Sequence, residues 1–558
     1  MTTVFHQNVN TVVPWTAQYA FPSQATNTNK SVVKVQPLGG TSYSPSNRRI
    51  QFQLPSDGYL NAMNSAISWK FQITGQELSS SNLSVLSYDA VAVAARTGSG
   101  AASTTTLTIA GGTIAPEPAS LAAGAFIGWH VMFTDGPVGG DSSQQAHKFQ
   151  ISEHTVADAS HTLVFKDTNR SVVAGTYAVR LYPKLAQLQR GGAHELIKRI
   201  RVLYGGVTLE DIPEYNRLAR MLLETGASAQ YMGTAGNILD GTGSSVLREA
   251  SNIGQYTPLS ASTSDTEMLR PYEHATRQVF NLYNGLMRCQ KLIPLKWMAA
   301  SLVLEVELAD AADCLICNSS AVSYQLTDVC YIAELLQFDQ LYDATLYQGM
   351  QMMGVPLKFT SWHHQERTIT GTGHYQIHER ARSVKAVLAV AADTLTHIGK
   401  DSHLMYHDLG KNVTAAGAFQ VGTAATIQEF QFRIGGKYFP SQPVNCEYGA
   451  AEAYFELLKT LNTLGDIGFA SGMQRRDWAS TGVRNSTDDS GMKFVIACEL
   501  ENTDVFPSTI AGINAENQSD LTIALKVGGV PVNKRMHVFT SFDNLMIVRE
   551  GHYVEHVM

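Results

Sequence analysis

The sequence predicts an all-β fold built as two tandem Greek-key β-sandwiches, on three observations. Outside two short helices, nearly every apolar run has a period of two, the signature of strands with one buried face. A unit of strand, Gly-Gly turn, short strand and helix occurs at Ile197 to Thr225 and again at Ile427 to Leu464. One step of 230 residues separates Gly205 from Gly435, Gly206 from Gly436 and Pro213 from Pro443. Repeats of roughly 20 to 50 residues would indicate a solenoid, whereas this step indicates a duplicated domain. The 558 residues suffice for two or three cores.

The paired glycines supply the positive φ angles of a tight hairpin between apolar strands. In the first helix, Pro213 to Thr225, the residues Ile212, Tyr215, Leu218 and Leu222 recur at steps of three and four, and Gly226 follows as a stop. In the second, Ala451 to Leu464, the same spacing falls on Ala451, Phe455, Leu458 and Leu461, ended by Gly465. These stripes predict burial of Leu218 and Leu222 in one helix and of Phe455 and Leu458 in the other.

Along the chain, residues 1–47 are polar with isolated anchors Trp15, Tyr19 and Phe21, which reads as an N-terminal arm, either lying on a neighbouring subunit or a partly disordered terminus. The first sandwich is assigned to residues 48–310. It opens with Ile50, Phe52 and Leu54, then Ile67, Trp69, Phe71 and Ile73, each set alternating with polar residues. Residues 75–150, rich in Gly, Ala, Ser and Thr, read as long projecting loops or low-complexity chain around one modest strand at Thr106 to Ile109, and residues 226–275 read as a second long loop. Strands are expected at Thr162 to Phe165, Tyr177 to Leu181 and Leu302 to Leu308. Small residues at 311–322 suggest a linker, leaving 323–558 for the second sandwich and a C-terminal tail, with strands at Val329 to Phe338, Leu357 to Trp362, Val384 to Val390, Phe494 to Leu500 and Leu521 to Val527.

A net charge of −7 argues against coating nucleic acid by phosphate neutralisation. Six cysteines, with no basic and apolar leader, fit a reducing compartment and no disulfide framework. No apolar run approaches the ~20 residues needed to cross a bilayer.

Catalytic and metal signatures are weak. Cys314-Leu-Ile-Cys317 lacks a second pair at zinc-ribbon spacing. His363, His364 and Glu366, with His374, His378 and Glu379, are the densest His and carboxylate stretches. On a strand His374 and His378 share one face, so two metal ligands are geometrically available there, but surface or interface histidines are the simpler reading. The glycine-rich stretches 95–112 and 232–243 contain no phosphate-binding loop, and no nucleophile elbow occurs. Glu210 and Asp211 form a carboxylate pair that glycoside chemistry would need, yet they also stand where negative charge complements a helix N-terminus. The expectation is therefore no catalytic residue, no cofactor and no metal.

Arg48 to Leu54 with Ile67 to Ile73, Leu292-Ile-Pro-Leu295 leading into the 302–308 strand, and Arg382 to Leu388 together resemble the double jelly-roll major capsid proteins of polinton-like viruses and virophages, and more distantly those of large nucleocytoplasmic DNA viruses. The resemblance implies two tandem eight-stranded jelly rolls, each with a short helix in the loop after a Gly-Gly strand pair. It also implies a homotrimeric, pseudo-hexagonal capsomer that tiles an icosahedral shell of a double-stranded DNA virus, is not an enzyme, and meets neighbouring capsomers, penton proteins and minor capsid proteins in the virion. Assembly would occur in the host cytoplasm or nucleus, without sequence-specific nucleic acid binding. A carbohydrate-active or carbohydrate-binding β-sandwich protein is the alternative, as is a minor capsid or spike component.

Overall fold

The computed structural model describes residues 28–74, 191–228, 230–231, 234–241, 276–316, 323–393, 426–446, 450–463, 494–501, 512–516, 521–528, 534–549 and 554–557, the strands between 86 and 188, and residues 473 and 478. Among the described residues, sixteen strands form the shared frame of two rolls, with short strands added at Ser42–Tyr43, Tyr59–Leu60 and Val554–Val557. In the first these are β1 (Asn29–Val35), β2 (Arg49–Gln53), β3 (Ala66–Thr74), β4 (Ile197–Tyr204), β5 (Val207–Pro213), β6 (Thr276–Phe280), β7 (Leu302–Leu308) and β8 (Ser323–Gln337). In the second they are β9 (Val355–Ile369), β10 (Gly373–Ile377), β11 (Val384–Asp393), β12 (Thr426–Ile434), β13 (Lys437–Asn445), β14 (Ile496–Glu499), β15 (Leu521–Gly528) and β16 (Lys534–Val548).

The first roll pairs them as β1-β8-β3-β6 and β5-β4-β7-β2, the second as β9-β16-β11-β14 and β13-β12-β15-β10. Each strand of the first roll has its counterpart eight strands later, in the same sheet position. Register repeats as well: Asn29 lies opposite Gln337 and Val355 opposite Val548, while Ser323 lies opposite Thr74 and Lys534 opposite Asp393. The duplication expected from the glycines is thus present strand by strand.

This pairing moves the expected boundaries. Ser323–Gln337, assigned from sequence to the second sandwich, is the last strand of the first roll and pairs with Ala66–Thr74. A roll closes on its eighth strand, so a small-residue stretch before that strand is an internal loop and not the junction. The polar arm is likewise shorter than 1–47, because Asn29–Val35 is the first strand of its roll. Its polar Asn-Lys-Ser start masked the strand, since an edge strand with both faces largely exposed needs no apolar period. The anchors Trp15, Tyr19 and Phe21 lie outside the described residues. The rolls are joined instead by the helix Gln340–Met353, tied to the first roll where Asp343 accepts from Tyr59 Oη at 2.7 Å and Lys296 Nζ at 2.6 Å.

Alternation holds in the sheets. Ile50, Phe52, Ile67, Trp69, Leu304 and Val306 are fully buried, and the Phe52 and Tyr331 rings meet across the first sandwich at 6.0 Å. Phe430, Phe432 and Ile434 do the same in the second. Both Gly-Gly pairs have positive φ at both positions, as a two-residue hairpin of matching twist demands (54° and 86°; 55° and 81°). The helices that follow are also entered alike, through one left-handed residue: Glu214 at φ 51° and Ala450 at φ 52°.

The helices run Tyr215–Gly226 and Ala451–Thr460. In the first, Leu218 is fully buried and Leu222 half-buried against the core. In the second the expected phase is off by two residues: Ala453 and Leu457 are buried, whereas Phe455 is 47% exposed, with Lys459 Nζ over its ring, and Leu458 is half-buried. The run Tyr-Phe-Glu-Leu-Leu offers apolar residues to two adjacent faces, so spacing alone could not choose between them.

Residues 75–150 are more than projecting loops. The strands Leu86–Val93, Thr104–Ile109, His130–Phe133 and Lys148–Ala157 join Ser160–Lys166 and Gly175–Tyr182 in a closed six-stranded barrel inserted between β3 and β4. Leu107, Ile109, Val131, Ile151, Leu163, Val179 and Leu181 fill it. The strands expected at 106–109, 162–165 and 177–181 are present, but they belong to the barrel and not to the sandwich. Most of 226–275 lies outside the described residues. Among the described residues no helix is long and apolar enough to cross a membrane.

Candidate functional site: the seam between the rolls

A buried polar arrangement lies where the two rolls meet. Strand β5 carries Glu210 on the same face as the buried Ile212, so its carboxylate points away from water and is 3% exposed. It accepts the N–H groups of Gly285 (2.7 Å) and Leu286 (3.2 Å) and the amide of Asn284 (2.8 Å), all after β6. Ser361 Oγ of β9, in the other roll, donates to it at 2.8 Å. Burial pushes the Glu210 carboxyl pKa upward, and these four donors pull against that. One carboxylate thus ties a strand and a loop of the first roll to a strand of the second.

Backbone fit reinforces the tie. A Cβ on Gly285 would lie 2.1 Å from the carbonyl oxygen of Thr360 on β9, so only glycine lets the two backbones approach this closely. Asn544 Nδ2 of β16 donates to the Leu209 carbonyl at 3.2 Å, and Cys289 Sγ reaches the Lys358 carbonyl at 3.7 Å. Contrary to the sequence expectation, Glu210 and Asp211 are not charges on a helix N-terminus. The following helix has no acidic residue in its first turn; Glu210 serves the seam, and Asp211 forms a two-pronged pair with Arg199 at 2.7 and 2.5 Å. The legible clue was parity, a carboxylate on the buried face of a strand.

The histidines flagged in the sequence separate into three environments. His364 Nε2 and His537 Nδ1 face each other at 3.0 Å, with ring centroids 5.3 Å apart. Burial depresses both; for His364, down to about 4, the Glu214 carboxylate pulls the other way while Arg217 and Lys198 reinforce the shift. Lys198 and Arg217 are themselves paired with Glu214, at 2.6 and 2.8 Å. His363 Nδ1 lies 3.0 Å from Glu379, whose carboxylate also accepts Thr540 Oγ1 and the N–H groups of Arg380 (2.9 Å) and Ala381 (3.0 Å). Burial would raise Glu379, but these donors outweigh it and hold the carboxyl below its ordinary range. His374 and His378 are exposed on and just beyond β10, away from both pairs, and Glu366 pairs with Arg535 at 3.1 Å.

Among the described residues, no group of three His, Cys, Asp or Glu side chains is placed to hold a metal ion. Cys314 is buried in the turn Ala311–Cys314, and Cys317 lies outside the described residues. Of the glycine-rich stretches, the structure describes 104–109, a barrel strand, and 234–241, which holds the short helix Ala235–Leu239. The seam is built to fix two bodies together.

No family model matches the chain, and no curated protein matches it. Solved structures do. The Faustovirus major capsid protein superposes with a TM-score of 0.52 at 9% identity, covering 97% of this chain and 94% of that one. PBCV-1 VP54, fitted into a cryo-EM reconstruction of the virophage Sputnik, gives 0.47 at 7% identity over 97% and 99% of the two chains. The mavirus major capsid protein gives 0.39 at 9% over 97% and 92%. At such identities the likeness speaks for the fold, and it is the Faustovirus superposition, with the strand order above, that carries it. The chain therefore has the double jelly-roll fold of the Faustovirus major capsid protein, with two equivalent eight-stranded rolls locked side by side.

Proposed function

We propose that this chain is a structural shell subunit, the major capsid protein of a double-stranded DNA virus, acting without catalysis. The observation that carries the reading is the equivalence of the two rolls, matched in strand order, register, hairpin glycines and helix start. Two equivalent rolls per chain give three chains six similar lobes. A closed threefold ring of one gene product then fills a hexagonal lattice position.

The buried seam supports the same reading, since a lattice unit must hold its two lobes at one angle. Neighbouring capsomers, penton proteins and minor capsid proteins are the partners of such a subunit, and the virion its location. Negative-stain imaging of the purified chain tests this directly: hexagonal trimers and shells are expected, and dispersed monomers would overturn it.

A further inference from the structure

The seam inside one chain has an uncovered counterpart on one further strand of each roll. Within the chain, β5 of the first roll meets β9 of the second. The strand equivalent to β5 in the second roll is β13, and the strand equivalent to β9 in the first roll is β1. From their shared registers, Lys358, Phe359, Thr360 and Ser361 of the seam correspond to Val32, Val33, Lys34 and Val35.

Burial differs sharply between equivalents. Leu209, Glu210, Phe359 and Ser361 are buried in the seam. Val32 is 60% and Val33 39% exposed, as is Lys34, and on β13 Phe439, in the place of Glu210, is only half-buried, with Ser441, Gln442 and Pro443 exposed. Both surfaces thus have the strand geometry of a seam half without the cover.

We propose that β13 of one chain packs against β1 of a second copy, repeating between chains the contact that β5 and β9 make within one. The mismatch in detail is instructive. β13 carries Phe439 where β5 has Glu210, with a bulge at Pro440 to Pro443 where β5 has Asp211, and β1 offers Val35 where β9 offers Ser361. The contact between chains is therefore apolar where the internal one is hydrogen-bonded. It is heterologous, so it closes only as a ring, and this inference rests on the trimer reading.

The test uses the full chain with Val33→Cys and Gln442→Cys in one background, mixing isotopically heavy and light protein and bridging with a short bismaleimide. Heavy-light crosslinked peptides joining 33 to 442, with covalent species ending at three chains, are expected. Separately, Val32→Lys with Val33→Lys should shift a native trimer to monomer, while Ile238→Lys, at a site 81% exposed outside these strands, should leave it trimeric. A melting profile like that of the parent shows that the lysine variant is folded. A parent trimer that yields no 33–442 crosslink, and that stays trimeric with both lysines, overturns this interface and leaves the trimer reading standing. A monomeric parent overturns both.

Discussion

Gly285→Ala should weaken the attachment of the two rolls through one added methyl group. Gly285 has φ −66°, an ordinary helical value, so alanine is not strained there and would by itself stabilise by about 0.4 to 1 kcal/mol through the unfolded chain. The opposing term is steric: the new Cβ would lie 2.1 Å from the Thr360 oxygen and 2.8 Å from Phe359 Cδ2. A carbonyl oxygen held in a sheet cannot swing aside, so β9 and the 281–288 loop must part by roughly 1 Å to restore ordinary contact.

That parting stretches the 2.8 Å bond from Ser361 to Glu210 and the 3.2 Å bond from Asn544 to Leu209. Overpacking costs about 1 to 3 kcal/mol, and loosening a donor to a buried carboxylate a further 1 to 3 kcal/mol, leaving a net loss near 3 kcal/mol. At about 2.1 cal/mol/K of unfolding entropy per residue, that is a fall in melting temperature of roughly 2 to 3 °C by calorimetry for all 558 residues unfolding together. Gly349→Ala is the matched control, since a Cβ there meets nothing within 4 Å and the site is an exposed helix interior. It should raise stability by about 0.5 to 1 kcal/mol. Equal, small shifts for both variants would refute the close approach at the seam.

In the second helix, Leu457→Ala should cost about 2 to 5 kcal/mol by leaving a cavity, whereas Phe455→Ala should cost under ~1 kcal/mol; denaturant melts with the reverse order would contradict the helix phase. The His364–His537 pair makes the fold acid-labile. Because the folded His364 titrates at about 4 and the unfolded one near 6.5, the unfolded chain binds the extra proton first, so this stabilisation is whole above pH 6.5 and drains as pH falls toward 4. His364→Gln should therefore lose on the order of 3 kcal/mol less than the parent across that window, and identical pH profiles would show the pair to be irrelevant. Glu195, buried and raised to about 7, acts oppositely over pH 7 to 4.5, so Glu195→Gln should steepen the acid loss seen in the same titration.

The two-roll plan was legible because it rests on residues whose backbone geometry is unusual. Gly205, Gly206, Gly435 and Gly436 had to be glycines for the hairpins, and their common step exposed the duplication. Clean alternation in Leu302 to Leu308 and Phe430 to Ile434 fixed which faces are inside. Edges and joints were less legible. Asn29–Val35 has no apolar period because the single chain covers neither of its faces well, and Ser323–Gln337 reads equally well as an opening or a closing strand until its partner is known. The barrel strands bury Leu, Ile and Val side chains, but the Gly-, Ala-, Ser- and Thr-rich stretches around them hide that alternation. Glu210 needed tertiary knowledge of a different kind: its donors come from residues 74 to 151 positions away, and nothing local announces them.

The central claim, that two equivalent rolls per chain exist to build a threefold ring with a sixfold outline, is tested most directly by native mass measurement of the full chain at micromolar concentration. The account predicts a single dominant species of three 60.7 kDa chains, persisting on dilution. A stable monomer or a twofold dimer would contradict it.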